Sequence, residues 1–272
     1  MRQSIAGQSV DRYPPEKPKF KAPLLLVHGL WTGPWCWRSW ANHFSNLGWD
    51  CVAVDLRPRS PDDPTKTLRN LTFEDCVRNL EDVIHSFSTP PVLVAMNLAA
   101  LMALKAMAKS KLTVLVLISP LAPRHLNVAG SRPQRLLWLK YRFLIFLRRP
   151  IQIDEKDFRS NFLSPLAEHL QLTISKQTVP ESSLLVREFL KPRVKLESRA
   201  FDCPVLVLAG AEDKLTPAPI SNKLARSIGG QFREYPRGGH WLIEDDGETI
   251  VRDIHRWIVQ QHGEKILLAE LS

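Results

Sequence analysis

Pro91-Val92-Leu93-Val94-Ala95-Met96-Asn97-Leu98-Ala99-Ala100 reads as an apolar strand that runs into a tight turn and then directly into a helix. An uninterrupted apolar run of this length is what a parallel strand looks like when helices cover both faces of its sheet. The residue at the turn is Asn97. A carboxamide has no proton that a histidine could remove to make an alkoxide, so acyl-enzyme chemistry through this side chain is closed. The turn therefore fixes the class of fold and, at the same position, removes the most familiar chemistry.

Runs of the same kind lie on both sides. Leu24-Leu25-Leu26-Val27, Cys51-Val52-Ala53-Val54, Val114-Leu115-Val116-Leu117-Ile118 and Val205-Leu206-Val207-Leu208-Ala209 read as further buried strands. Between them come helix-like stretches such as Thr72 to Phe87. There Phe73, Cys76, Val77, Leu80, Val83, Ile84 and Phe87 recur at three- and four-residue spacings. Strand and helix in alternation predict an α/β fold with a mostly parallel, doubly wound sheet. With 272 residues, 44% of them hydrophobic, the chain is long enough to bury one large core. About eighty residues separate Pro120 from Pro204, where a bare crossover needs a dozen or more. This divides the chain into a core over 22–120 and 204–272, a helical cap insertion over 121–203, and an extended lead-in over 1–21 that carries Pro14, Pro15 and Pro18.

Several short motifs occur in a telling order. Val27-His28-Gly29-Leu30-Trp31 ends the first strand and opens a tryptophan-rich loop with Trp35, Trp37 and Trp40. Asp55-Leu56-Arg57 ends the second. Ala95-Met96-Asn97-Leu98-Ala99 follows, then Gly210-Ala211-Glu212-Asp213 after a late strand, and finally Gly238-Gly239-His240-Trp241. Over roughly residues 22 to 262 this pattern resembles the α/β-hydrolase superfamily, whose chain order is nucleophile, acid, histidine. The resemblance implies the α/β-hydrolase fold, with Asn97 at the apex of the G-x-S-x-G elbow and Ala95 and Ala99 in place of its two glycines. It places Asp213 as the acid that orients His240, with Glu212 as the alternative acid. The oxyanion donors become the backbone N–H groups of Leu98 and of Leu30 or Trp31.

Asn97 suits the turn because asparagine tolerates a positive φ. Its side chain can hydrogen-bond a ligand or satisfy backbone groups of the turn. Conversion to aspartate would be needed for carboxylate chemistry, and Leu98 is a bulky neighbour for that reaction. A His240/Asp213 dyad without a serine can still deprotonate a water or a substrate. Ser119 is a hydroxyl near the site in sequence, but it lies after the wrong strand to meet both base and oxyanion donors.

The cap is unusual in composition. From Leu121 to Pro150 it holds Arg124, Arg132, Arg135, Lys140, Arg142, Arg148 and Arg149 with no acidic residue, around the apolar run Leu136 to Leu147. That run is too short to span a bilayer, which needs about twenty residues. It reads either as a lid helix buried over the site or as a helix resting on an anionic membrane surface or a protein partner through 132–150. The net charge of +9 suits an anionic substrate or surface. No reading module for specific nucleic acid accompanies it. Cys36, Cys51, Cys76 and Cys203 have no spacing of a metal or disulfide frame, with Cys51 and Cys203 expected in the core. Neither metal nor cofactor is implied. The lead-in lacks the apolar core of a signal sequence, which points to a cytoplasmic protein, with a peripheral membrane location as the alternative. The tail Gly263 to Leu271 is apolar enough to dock, on its own domain first and on a partner surface second.

Two functions follow. One is a hydrolase or lyase using His240 and Asp213 on a hydrophobic or anionic carbonyl or epoxide substrate. The other is a catalytically inactive relative that binds a ligand or assembles a complex through its basic apolar cap.

Overall fold

The computed structural model describes residues 2–57, 64–126, 130–195, 201–243 and 247–266. Eight strands form one sheet in the order β1-β2-β4-β3-β5-β6-β7-β8. They are β1 (Arg2–Ile5), β2 (Gln8–Tyr13), β3 (Leu24–Val27), β4 (Cys51–Asp55), β5 (Val92–Met96), β6 (Val114–Ile118), β7 (Val205–Gly210) and β8 (Gln231–Tyr235). From β4 to β8 all neighbours are parallel, and β1 and β2 are antiparallel additions at one edge. The five apolar runs read from the sequence are the central strands β3 to β7, each buried along its whole length.

The lead-in expected over residues 1–21 is instead partly a hairpin that enlarges the sheet. Residues Ser9 to Tyr13 pair antiparallel with Asp55 to Cys51, and Val10 is fully buried. Only alternate residues of β2 face the core, so its hydrophobic signal is half that of a central strand. β8 was not foreseen for the same reason: its sequence Gln-Phe-Arg-Glu-Tyr is largely polar and lies at the opposite edge.

Helices α1 (Arg38–Asn46), α2 (Pro64–Asn70), α3 (Phe73–His85) and α4 (Leu98–Ala106) accompany the first half of the sheet. In α3 the Thr72 side chain caps the Asp75 N–H while Asp75 reaches back to the Thr72 N–H, which fixes the start of the helix. The expected face of Phe73, Cys76, Val77, Leu80, Val83 and Ile84 is buried. Helices α9 (Ala218–Ser227) and α10 (Gly247–Ile266) complete the core. The start of the Gly263–Leu271 tail continues α10 to Ile266, and the remainder lies outside the described residues.

Between β6 and β7 stand α5 (Arg132–Phe146), α6 (Glu155–Phe158), a π-helical turn (Arg159–Leu163), α7 (Glu168–Ser175) and α8 (Ser183–Leu190). The reading of the Leu136–Leu147 run as a buried lid is corrected here. Helix α5 packs one face against α8 through Gln134, Leu137, Tyr141 and Ile145, and it leaves Leu136, Leu139, Phe143 and Phe146 in solvent. Among the described residues no helix is long and apolar enough to cross a membrane.

The four cysteines are free. Cys51 is buried and Cys203 half-buried, and burial pushes the Cys203 thiol up to about 11. Both are poor nucleophiles in that state.

If the hairpin is part of the core, Val10→Asp should lower the unfolding free energy by about 3 kcal/mol or more. A detached lead-in would leave it within about 0.5 kcal/mol in a urea titration.

Candidate active site

Strand β5 ends at Met96 and α4 begins at Leu98, so Asn97 alone makes the turn. Its φ is 59° and its ψ −122°. The positive φ was expected, but this ψ lies outside the left-handed basin that asparagine favours, so the strain is not relieved by residue type. The end of β6 and the loop that follows it hold it instead. The Asn97 N–H donates to Ile118 O at 3.0 Å, and Leu121 N–H donates to Asn97 O at 3.1 Å. Ala95 and Ala99 are buried on either side of the turn, and the elbow forms with these methyl groups in place.

The side chain of Asn97 is satisfied at both ends. Its Oδ1 accepts the backbone N–H of Leu98 at 2.6 Å, and Nδ2 lies 2.7 Å from His240 Nε2. Because Oδ1 is fixed as the acceptor, Nδ2 must donate, so His240 Nε2 must carry a lone pair and not a proton. The ring proton then sits on Nδ1, which donates to Asp213 Oδ2 at 2.8 Å. Asp213 is itself held by the backbone N–H groups of Leu215 and Thr216 and by the Thr216 hydroxyl. Asn97, Asp213 and His240 are all buried, His240 completely. Glu212 is exposed, which leaves Asp213 as the acid on the histidine. The Ser119 hydroxyl is buried with no hydrogen-bond partner, and it takes no part in the network.

The loop carrying His240 packs directly under the cap. A β-carbon on Gly239 would fall 2.0 Å from the Ser164 carbonyl oxygen, and one on Gly210 2.1 Å from Gly238 O. Only glycine permits these approaches. Phe162 of the π-helical turn meets the His240 ring edge-on at 5.3 Å, stacked in turn on Phe158 and set against Trp31 and Phe189. The lid over the histidine is therefore made by residues 158–163 and α8, not by α5. Trp31, Trp37 and Trp40 are fully buried packing groups.

Of the expected oxyanion donors, Leu98 N–H is already taken by Asn97. The Trp31 N–H points at Glu181 Oε2 of the cap, 3.4 Å away. Leu30 and Leu98 come together on a cavity of about 30 Å³ shared with His28, Arg57 and Glu181, room for about one water molecule.

Sequence reasoning missed the charged cluster behind this cavity. Arg57 donates to Asp55 in a bidentate pair, Nε to Oδ1 at 2.7 Å and Nη2 to Oδ2 at 3.1 Å. Its Nη1 lies 3.5 Å from Glu181 Oε2, and His28 lies 3.3 Å from Asp55. Burial alone would raise the Asp55 carboxyl, but the Arg57 charge and the His28 contact hold it well below the ordinary range. For Arg57, burial is outweighed by Glu181 and Asp55, and its pKa rises. The Asp-Leu-Arg triplet was visible as a motif, but its partner Glu181 is 124 residues away along the chain. Among the described residues no group of three or more His, Cys, Asp or Glu side chains could hold a metal ion.

A family model described as "Alpha/beta hydrolase family" matches residues 24–253. Epoxide hydrolase 3 of Xenopus tropicalis is 25% identical over 260 residues, covering 85% of this chain and 70% of its own. An esterase from Exiguobacterium antarcticum superposes with a TM-score of 0.70 at 16% identity over 94% of this chain and 98% of its own. A variant of the epoxide hydrolase of Bacillus megaterium does so at 0.69 and 14%, over 96% of this chain and all of its own (100%).

Two measurements test the geometry. Asn97→Ala strands the Leu98 N–H and the His240 lone pair, so we expect a loss of about 2–4 kcal/mol in urea unfolding. A residue kept for catalysis at the expense of stability would give no loss or a gain. Asp55→Asn leaves the buried Arg57 short of a counter-charge and should cost about 3–5 kcal/mol at neutral pH. Asp55 has a depressed folded-state pKa. Its contribution is therefore complete above the unfolded value of about 3.9 and is lost as pH falls through the folded value. The variant's stability should accordingly fall less steeply than the wild type's below about pH 4.

Proposed function

The chain belongs to the alpha/beta hydrolase family, and from that premise we propose that its catalytic machinery has become a closed structural network, with the basic apolar cap as the working surface. The observation that carries this reading is the pair of hydrogen bonds made by the Asn97 side chain, one donated to His240 and one accepted from the Leu98 N–H. A serine at the elbow would offer its hydroxyl to the histidine and leave the next backbone N–H free for an oxyanion. Asparagine offers no nucleophile, uses the base's lone pair, and turns its oxygen back onto that same N–H. Three requirements of acyl transfer fail together at one residue. The cavity that Leu30 and Leu98 line, about 30 Å³, is far below the few hundred Å³, roughly, of ordinary ligand pockets.

A second reading is favoured by one specific observation. The Asp213–His240 pair keeps the short contact that a general base needs. If Asn97 swung aside and the cap lifted, the dyad could activate a water against a hydrophobic carbonyl or epoxide. The related frog protein is named an epoxide hydrolase, which makes epoxides the natural first substrates for that reading.

Turnover separates the two. We expect the wild-type protein and folded His240→Ala to be equally inert toward p-nitrophenyl esters, acyl thioesters, lactones and aryl or alkyl epoxides. Hydrolysis of any of these by the wild type, lost in His240→Ala with the fold intact, establishes the dyad as a working base.

A further inference from the structure

Helix α5 carries two apolar stripes. At about 100° per residue, the buried residues Leu137, Tyr141 and Ile145 fall on one line of the helix. Leu136, Leu139, Phe143 and Phe146 fall on the opposite one. These four are 57%, 58%, 67% and 81% exposed, a concentration of large apolar side chains that folded surfaces seldom leave without a partner. The stripe is bordered by cations. Arg135 and Arg142 flank one side of it and Arg148 and Arg149 follow its end, all exposed. None of them pairs with a carboxylate among the described residues, whereas Lys140, on the other side, is held by Asp157.

Beside the stripe opens the largest described cavity of the cap, about 680 Å³, lined by Arg124, Arg135, Lys191 and Arg193 together with Trp138 and Leu139. Among the described residues no acidic side chain lines it. Lys191 sits over the Trp138 ring, 5.3 Å from its centre, which holds a cation at the wall of an otherwise apolar space. Leu139 belongs to both features, so the cavity opens alongside the exposed stripe.

We propose that this face of the cap docks on an anionic phospholipid surface, with Leu136, Leu139, Phe143 and Phe146 entering the acyl boundary and the Arg124, Arg135, Lys191 and Arg193 cavity receiving a phosphate headgroup. It names the partner of the surface identified above and rests on that reading only in taking the cap as the working face. Charge complementarity selects the occupant. A second copy of the chain would bring like cations together across the contact. A purely polyanionic ligand would leave the apolar stripe in water. An anionic bilayer is negative at the headgroup level and apolar just beneath it, in the order this face presents.

The test is co-sedimentation of the full chain with vesicles of phosphatidylcholine alone and of phosphatidylcholine with phosphatidylglycerol. We expect binding to the mixed vesicles at least about tenfold tighter than to the neutral ones, not competed by free glycerol 3-phosphate. Phe143→Ser with Phe146→Ser, and separately Arg135→Gln with Lys191→Gln and Arg193→Gln, should each weaken it by about tenfold or more without changing the thermal midpoint, because these side chains lie outside the core. Equal binding to both vesicle types, no binding, or variants that bind like the wild type overturn the proposal. So does light scattering that shows a dimer dissociated by the phenylalanine variant. His240-dependent turnover by protein that still binds mixed vesicles would overturn the silent site and leave the docking face standing.

Discussion

The carboxamide of Asn97 is the interaction on which the rest of the site depends. Elbow turns in this fold hold a side chain at positive φ so that it projects toward the histidine. Placing asparagine there converts a reactive projection into a bridge between the start of α4 and the histidine loop. The bridge determines the tautomer of His240, and that tautomer in turn suits Asp213. Each side-chain polar atom of Asn97, Asp213 and His240 then has a partner, which is the condition under which a buried polar network rigidifies a core.

The cap is fastened over this network by two different forces. One is aromatic packing of Phe158, Phe162 and Phe189 around Trp31 and His240. The other is electrostatic. Glu181 belongs to the cap, yet it lies within reach of Arg57 and of the Trp31 N–H in the core. Lifting the cap would separate Glu181 from a buried guanidinium, which is costly where water cannot replace the lost partner. The Trp31 backbone is also tied to the cap at Val179, and its indole to Ile151. These ties run through the same loop that would supply an oxyanion donor, so closing the cap and occupying the Trp31 N–H are one structural event.

The central strands, α3 and the positions of Asn97, Asp213 and His240 were legible because each rests on a local signal: continuous apolar runs, helical spacing, or a short motif. What was not legible depends on long-range pairing. The hairpin of β1 and β2 and the edge strand β8 are largely polar, and only the neighbour they join shows that they are strands and which face is buried. Glu181 gives no sign in the sequence that it will meet Arg57. The apolar run of α5 announced a helix but not its orientation, because both of its stripes are apolar and only the position of α8 decides which is covered.

A site closed as we propose would free the cap from any need to open, so substitutions that would jam a working lid would become tolerable. An outward stripe of Leu136, Leu139, Phe143 and Phe146 contributes nothing to the core and exposes the chain to aggregation. The asymmetry is informative: every polar atom that Asn97 presents is satisfied internally, whereas the apolar and cationic groups of α5 are left facing outward.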